Sequence, residues 1–187
     1  MLVLASRSPR RREILEQAGI PFLVRPGEVD ETPHPGEAPR DYVVRIAREK
    51  AAAVSRAPGE IILGADTTVV IRGEILGKPR DAADAVRMIT LLSGQRHEVL
   101  TGICLSSADR EVEDCAATSV WFAPLSPQEI EAYAATGEPL DKAGAYAIQG
   151  RASKFIERIE GCYFNVMGLP VALVYRQLKN VSFFPGP

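Results

Sequence analysis

The chain has 187 residues, of which 46% are hydrophobic and 25% charged, a composition typical of a folded globular protein and unlike that of a disordered or fibrous chain. With 22 basic against 24 acidic side chains the net charge is −2, which gives no general attraction to a nucleic-acid backbone or an anionic membrane. Three cysteines without a CxxC spacing and two isolated histidines argue against a disulfide framework and a thiolate zinc site, so a metal here would be held by carboxylates, the ligands that Mg2+ and Mn2+ prefer.

The N-terminal third predicts a strand, a helix, a loop and a second helix. Residues 2–5 have the pattern of a short buried strand, and Ser8 and Pro9 mark the start of a helix that ends at Gly19. A loop rich in proline and glycine follows over 26–39 and carries Asp30 and Glu31. Apolar spacing then predicts a helix over about residues 40–54.

The middle of the chain predicts short strands, a helix and a hairpin. Two β-rich runs, 61–63 and 67–71, are interrupted at Gly64-Ala65-Asp66, which places Asp66 at a strand bend. Asp81 is the predicted N-cap of a helix that Gly94 terminates. Strands over 97–105 and 112–122 follow as a hairpin.

The C-terminal third predicts a capped helix, broken strands and a final helix. Ser126 and Glu129 form a capping box for a helix that stops at Gly137. Strand pieces are predicted over 144–150 and 155–166, and a last helix begins at Pro170. These elements predict an α/β (mixed α+β) fold with a mixed sheet, formed by one domain over residues 1–187.

Two further expectations concern location. The apolar stretches fall short of the roughly 20 residues that a membrane span needs, and the arginines at 7–12 are not followed by the apolar segment of a secretory signal. We therefore expect a cytoplasmic protein that binds neither membrane nor nucleic acid.

The first helix departs from the rules of helix stability. Arg10, Arg11 and Arg12 occupy its N-terminal turn, where the helix dipole disfavours cations. Guanidinium groups beside free backbone N–H groups suit a phosphate ligand. The alternative is a solvated basic turn whose arginines bend toward Glu13 and Glu16, and the helix alone does not decide between the two.

Asp66 is the second departure, because a carboxylate between two apolar strand runs is costly to bury unless it is paired. It could hold a divalent ion or accept a proton from water, whereas the simpler interpretation is an aspartate that stabilises a turn. Glu31, Lys50, Lys78 and Gln149 are individually weak candidates.

Nine motifs nevertheless follow one another in a fixed order. They are ASRSPRR at 5–11, DE at 30–31, AREKA at 47–51, GADT at 64–67, GKP at 77–79, LSG at 92–94 with His97, Val99 and Thr101-Gly102, GEPLDKAGAY at 137–146, IQG at 148–150 and NVMGLP at 165–170. Together they resemble the Maf family of nucleoside triphosphate pyrophosphatases over nearly the whole chain.

The resemblance implies a fold of two lobes around an extended mixed sheet, similar to inosine triphosphate pyrophosphatases, with the site in the cleft between the lobes. It implies cleavage of the α–β phosphoanhydride of a nucleoside triphosphate, with Mg2+ or Mn2+ as cofactor, by a homodimer. Carried over to this sequence, it makes Asp66 the proton acceptor for the attacking water, Lys50 and Lys78 the groups that neutralise phosphate oxygens, and Glu31 with Asp66 the metal ligands. Ser6 and Arg11 of the first motif are expected to bind substrate.

Within the family one branch favours dTTP and UTP and another 7-methyl-GTP, and the resemblance places the specificity positions at Arg10, Thr67 and Gln149. All three match the dTTP/UTP branch, and the Gln149 amide offers both a donor and an acceptor to a pyrimidine edge. Two departures from the family pattern are Ala147, where glycine is usual, and the tail 181–187, which matches nothing.

Two other functions are kept as alternatives. One is the 7-methyl-GTP pyrophosphatase of the same family, in which tryptophan replaces the residue at position 10. The other is a nucleotide-binding regulator of septum formation and cell division without catalytic activity. A regulator is expected to lack the acid of the GAD motif or the lysines, whereas Asp66, Lys50 and Lys78 are all present.

Overall fold

The structure is a computed structural model that describes residues 1–181 and 183–184. In this part of the chain the strands are β1 (Leu2–Leu4), β2 (Phe22–Val24), β3 (Ile61–Ile71), β4 (Glu74–Leu76), β5 (Arg96–Ser106), β6 (Glu111–Phe122) and β7 (Ile156–Glu160). The helices are α1 (Pro9–Gln17), α2 (Pro39–Ala52), α3 (Ala82–Leu92), α4 (Pro127–Ala134), α5 (Tyr163–Met167) and α6 (Val171–Asn180). Among the residues described, no helix has both the length and the apolar character needed to span a bilayer.

The strands form a mixed sheet, as the sequence predicts. They are hydrogen-bonded in the order β2-β1-β3-β5-β6-β7, with β4 paired to β3. Strand β1 runs parallel to both of its neighbours, while β4 and β7 pair antiparallel with β3 and β6. The predicted mixed α/β fold class is confirmed.

The chain divides into two compact units. Unit 1 comprises Met1–Asp66, Thr101–Ala116 and the described residues from Gly168 onward, and unit 2 comprises Thr67–Leu100 and Ala117–Met167.

One hydrophobic cluster of unit 1 lies where α2 packs on the sheet. It consists of Val3, Ala5, Ala47, Ala51, Val54, Ile62 and Cys104. The helix approaches the strands closely because two strand positions are glycine. A Cβ on Gly64 would lie 1.9 Å from the carbonyl oxygen of Ala47, and one on Gly102 would lie 2.3 Å from that of Val43.

The core of unit 2 is rich in aromatic residues. Phe122 packs edge-to-face against His97 and Tyr146, with ring centroids 5.1 and 4.9 Å apart. His97 Nε2 and the Tyr146 hydroxyl share a hydrogen bond of 2.8 Å. Tyr133 of α4 packs in the same way against Phe155, at 5.5 Å.

Most predicted helices are confirmed, including their ends. Asp81 caps α3 by accepting from the N–H of Asp84 at 2.8 Å, and Ser126 and Glu129 form the predicted capping box of α4. At α1, Ser8 takes the N-cap position, but its side chain makes no capping hydrogen bond.

Three strand predictions are corrected by the structure. The predicted break at 64–66 is absent, because Gly64 and Ala65 continue β3, and Asp66 therefore lies within a strand and not at a bend. The predicted strand over 144–150 is replaced by turns, since Gly144 and Ala145 have positive φ angles of 66° and 61°. The predicted strand over 155–166 is β7 followed by α5.

The sequence does not predict strands β2 and β4, which have three residues each. The turn into β4 uses positive φ at Arg72 and Gly73, 52° and 82°, the conformation of a tight hairpin. Of the tail 181–187, Ser182 and residues 185–187 lie outside the described residues.

Candidate active site

Three predicted site residues meet in unit 1. Lys50 in the last turn of α2 places its Nζ 2.7 Å from Asp66 Oδ1 and 2.7 Å from Glu31 Oε1. The side chains of Lys50 and Asp66 are 12% and 8% exposed, and that of Glu31, in the loop before α2, is 47% exposed. One ammonium group thus lies between a buried and a half-exposed carboxylate.

The close packing of α2 on β3 explains why Lys50 and Asp66 meet. Residues two apart on a strand point to the same face, so Asp66 shares a face of β3 with Gly64. A Cβ on Gly64 would contact the backbone of Ala47 and Ala51 in α2, which shows that this face is the one that the helix covers. Lys50, beside Ala51, therefore reaches the carboxylate.

Burial determines the electrostatics of Asp66. Burial raises the pKa of its carboxyl group, while the nearby charges of Lys50 and Arg11 oppose that rise. The negative charge of Glu31 adds a smaller upward contribution to the Asp66 pKa. The group is therefore a stronger proton acceptor than an exposed aspartate.

Arg11 and Ser6, both predicted to bind substrate, are buried beside this cluster. The Arg11 guanidinium donates to the carbonyl oxygens of Gly168 and Ala65, each at 2.8 Å, and to Ser6 Oγ at 3.1 Å. Burial lowers the pKa of Arg11, and the charges of Asp66 and Glu31 oppose this. Arg11 thus places a positive charge next to the segment that ends in Asp66.

Arg10 lies in the first turn of α1 and is partly exposed. That turn contains no acidic residue, so the structure retains the unfavourable placement of cations that the sequence indicates.

The loop that carries Glu31 is held by two residues of α2 that sequence reasoning missed. The Tyr42 hydroxyl donates to the carbonyl oxygen of Glu31 at 2.9 Å. Arg45 forms a bidentate ion pair with Glu37, at 2.6 and 2.8 Å, and donates to the carbonyl oxygen of Thr32 at 3.2 Å. Their three-residue spacing places Tyr42 and Arg45 on one helical face, but it does not indicate that this face binds the loop.

The remaining predicted residues belong to unit 2. Thr67 is partly buried in β3, Lys78 is exposed after β4, and Gln149 is exposed between two short turns. The residue before Lys78 is bonded to the segment that precedes the Gln149 turn, because the N–H of Gly144 donates to the carbonyl oxygen of Gly77 at 3.1 Å.

A second group of possible metal ligands occurs in unit 1. Among the residues that the structure describes, Cys104, Glu111 and Glu113 place one ligand atom each within 4.8 Å of one another. Burial raises the pKa of the Cys104 thiol to about 12, so the thiol stays protonated and is a poor ligand. This group does not suit Mg2+ or Mn2+, which prefer oxygen donors.

Comparison with known proteins agrees with the motif order. The family model described as Maf-like protein matches residues 1–181. The chain belongs to the Maf family. This Maf protein is 56% identical over 186 residues to the dTTP/UTP pyrophosphatase of Anaeromyxobacter dehalogenans strain 2CP-C, covering 97% of this chain and 94% of that one.

A second relative is the dTTP/UTP pyrophosphatase of Geobacter sulfurreducens, which is 52% identical over 184 residues, covering 97% of this chain and 96% of that one. Among solved structures, the Ham1 protein of Staphylococcus aureus is similar to this Maf protein with a TM-score of 0.54 at 14% sequence identity, covering 97% and 99% of the two chains. The two relatives support the family assignment, and the solved structure supports the predicted fold.

Proposed function

We propose that this Maf protein is a nucleoside triphosphate pyrophosphatase that hydrolyses the α–β phosphoanhydride of dTTP and UTP. The products are the nucleoside monophosphate and pyrophosphate. The observation that carries the proposal is the cluster of Asp66, Lys50 and Glu31 in unit 1. Relatives between 50% and 58% identical are named dTTP/UTP pyrophosphatase, which supports the choice of substrate.

Asp66 acts as the general base in this proposal. The oxygen of a water molecule forms a bond to phosphorus while the bond from phosphorus to the bridging oxygen breaks, and the proton of the water passes to the Asp66 carboxylate. A buried carboxylate with a raised pKa suits this step, because a base is most effective when its pKa approaches the working pH.

The cationic residues compensate the charge of the triphosphate. Hydrolysis of a phosphoanhydride needs positioning and neutralisation of negative charge more than it needs a covalent intermediate. Lys50, Lys78, Arg10 and Arg11 supply that positive charge, with Ser6 as a hydroxyl ligand of the phosphates. The mechanism thus requires no nucleophilic side chain.

Glu31 and Asp66 fit the divalent metal that the family implies. Both offer carboxylate oxygens, the donors that Mg2+ and Mn2+ prefer, and both carboxylates lie close together, since each forms an ion pair of 2.7 Å with the Lys50 ammonium group. An ion held by these carboxylates and the phosphates would neutralise charge and polarise the anhydride.

The base is read by Arg10, Thr67 and Gln149 in this proposal. The Gln149 amide pairs its donor and acceptor with the edge of uracil or thymine. Arg10 in place of tryptophan disfavours stacking of a 7-methylguanine, which makes the 7-methyl-GTP branch the lesser candidate. The proposal further includes a homodimer that acts in the cytoplasm on free nucleotides, without a nucleic-acid or membrane partner.

Pyrophosphate release tests the proposal directly. Purified protein is incubated with Mg2+ or Mn2+ and, in separate reactions, dTTP, UTP, CTP, GTP, ATP and 7-methyl-GTP. We expect release mainly from dTTP and UTP. The Asp66→Asn variant should lose a factor of about 100 or more, since it cannot accept the proton.

The matched control is Asp109→Asn, which should keep full activity. Asp109 is an exposed residue in the turn between β5 and β6. Fastest release from 7-methyl-GTP would assign the protein to the other branch. No release from any nucleotide by folded, metal-loaded protein would favour the regulator.

A further inference from the structure

The carboxylate of Glu138 binds a backbone amide close to the proposed base reader. Its two oxygens accept hydrogen bonds from the N–H of Arg151 at 2.9 and 3.1 Å. Arg151 begins the 3₁₀ turn Arg151–Phe155 and lies two residues after Gln149. A hydrogen bond from a backbone N–H to a carboxylate is charge-assisted and stronger than one between neutral groups.

Tyr133 supplies a second donor to the same carboxylate. Its hydroxyl donates to Glu138 Oε1 at 3.0 Å. Tyr133 is buried in α4, and both burial and the charge of Glu138 raise its pKa, so the hydroxyl stays protonated and keeps donating. Glu138 thereby connects α4 to the backbone at Arg151.

The carboxylate also packs against Gly150, the residue that follows Gln149. A Cβ on Gly150 would lie 2.3 Å from Glu138 Oε1, which means that the carboxylate occupies the space where a side chain would be. The N–H of Gly150 donates to the carbonyl oxygen of Ala147 at 3.1 Å. The turn that bears Gln149 is thus closed internally and fixed on its C-terminal side by Glu138.

We propose that Glu138 is a positioning residue for base recognition, whose carboxylate holds the turn that presents the Gln149 amide to the pyrimidine. This inference rests on the proposed function. An amide that pairs with both a donor and an acceptor of a base must be held within a fraction of an ångström. Gln149 is itself exposed, so its orientation depends on the backbone that carries it. Glu138 acts on discrimination between bases and does not contact the nucleotide.

The test compares UTP with CTP as substrates. We expect Glu138→Ala to lower the ratio of kcat/KM for UTP to that for CTP about tenfold, mainly through a higher KM for UTP, as the loss of a charged hydrogen bond predicts. Tyr133→Phe, which leaves the bond to Arg151, should lower the ratio about threefold. The matched control is Glu129→Gln. The Glu129 carboxylate also binds a backbone N–H in unit 2, that of Ser126 at 2.8 Å, but it does not bind the Gln149 turn. The UTP to CTP ratio of Glu129→Gln should therefore equal that of the wild type.

A double variant separates positioning from a general structural effect. In the Gln149→Ala background, adding Glu138→Ala should cause no further fall in the ratio, because the residue being positioned is gone. Amide hydrogen exchange at Arg151 gives a readout independent of activity, and Glu138→Gln should speed it about tenfold. If Glu138→Ala does not fold, the exchange rate of the Arg151 amide in Glu138→Gln still shows whether Glu138 holds the turn.

Several results would overturn the inference. The first is a UTP to CTP ratio that is unchanged in Glu138→Ala although it is lowered in Gln149→Ala, and the second is an equal loss of kcat/KM for UTP and CTP in Glu138→Ala. The others are a further fall of the ratio in the double variant and an unchanged exchange rate of the Arg151 amide in Glu138→Gln. An unchanged UTP to CTP ratio in Gln149→Ala would show that Gln149 does not recognise the base. The role proposed for Glu138 would then be wrong, while the proposed hydrolysis of the triphosphate would stand. Failure of the wild-type protein to release pyrophosphate from either nucleotide would overturn the proposed function itself.

Discussion

His97 shows how one buried side chain makes stability depend on pH. Its imidazole is 2% exposed, and burial lowers its pKa from 6.5 to about 4. Burial also raises the pKa of Tyr146, so the hydrogen bond between the two joins neutral groups at neutral pH. Between pH 6.5 and about 4 the unfolded chain binds a proton at this position that the folded protein does not, and stability therefore falls as the pH is lowered through this range.

We predict that this one histidine accounts for a loss of about 3 kcal/mol in unfolding free energy between pH 7 and pH 4. His97→Gln should be less stable at pH 7 but should show a correspondingly flatter pH dependence. Urea unfolding at a series of pH values measures both, with the exposed His34→Gln as control. A His97→Gln protein whose stability still falls as steeply as that of the wild type would assign the effect to other groups.

Among single residues, the sequence identified some of the site residues and missed others for a physical reason. Asp66 could be found because a carboxylate in an apolar strand is locally anomalous. Tyr42 could not, since a tyrosine on a helix is ordinary until tertiary structure shows which backbone group it binds. Glu138 belongs to one of the nine motifs, but the sequence did not show that its carboxylate binds the N–H of Arg151.

Among the secondary structure elements, the contact of α2 with β3 determines whether the site can form. Gly64 is required there, because an added Cβ would lie 1.9 Å from the carbonyl oxygen of Ala47. We predict that Gly64→Ala costs about 3 kcal/mol of unfolding free energy, as expected when a packed core is overfilled and a helix must move. Gly77→Ala is the matched control, since nothing lies within 4 Å of its added Cβ.

Urea unfolding of the two variants at neutral pH checks this prediction. A Gly64→Ala protein as stable as Gly77→Ala would show that α2 can shift at little cost. The Asp66–Lys50 pair depends on the same approach, so the activity of Gly64→Ala should fall further than that of Gly77→Ala where the protein remains folded.

The elements that the sequence predicted well are those whose ends are specified locally. The caps at Asp81 and Ser126 use side chains within three residues, and the final helix follows a proline. Strands β2 and β4 were harder, because they are partly exposed and depend on pairing with neighbours, whereas the equally short β1 is fully buried. The break predicted in β3 was wrong because its glycine serves packing on α2 and does not make a turn.

Over the whole molecule, the predicted residues divide between the two units. Unit 1 holds Asp66, Lys50 and Glu31, to which proton transfer and metal binding are assigned, and also Arg10, which is assigned to the base. Unit 2 holds Thr67 and Gln149, which are assigned to the base, and also Lys78, which is assigned to the phosphates. The order of motifs along the chain predicted the family and its fold, but not this division, because each unit is built from separate stretches of sequence.

The proposed roles predict that substitutions of a phosphate-binding residue and of a base-reading residue change different kinetic quantities. Lys50→Gln in unit 1 should lower kcat/KM for UTP and CTP by the same factor, about 100, since both nucleotides carry the same triphosphate. Gln149→Ala in unit 2 should lower the UTP to CTP ratio about tenfold and change the turnover of CTP little, since it removes hydrogen bonds to the base.

Initial rates of pyrophosphate release with both nucleotides, measured for each single variant and for the double variant, check this prediction. Independent tasks require that the two effects multiply in the double variant. A change of the UTP to CTP ratio in Lys50→Gln would mean that the charge compensating the phosphates also takes part in choosing the base, and the assignment of separate tasks to Lys50 and Gln149 would be wrong.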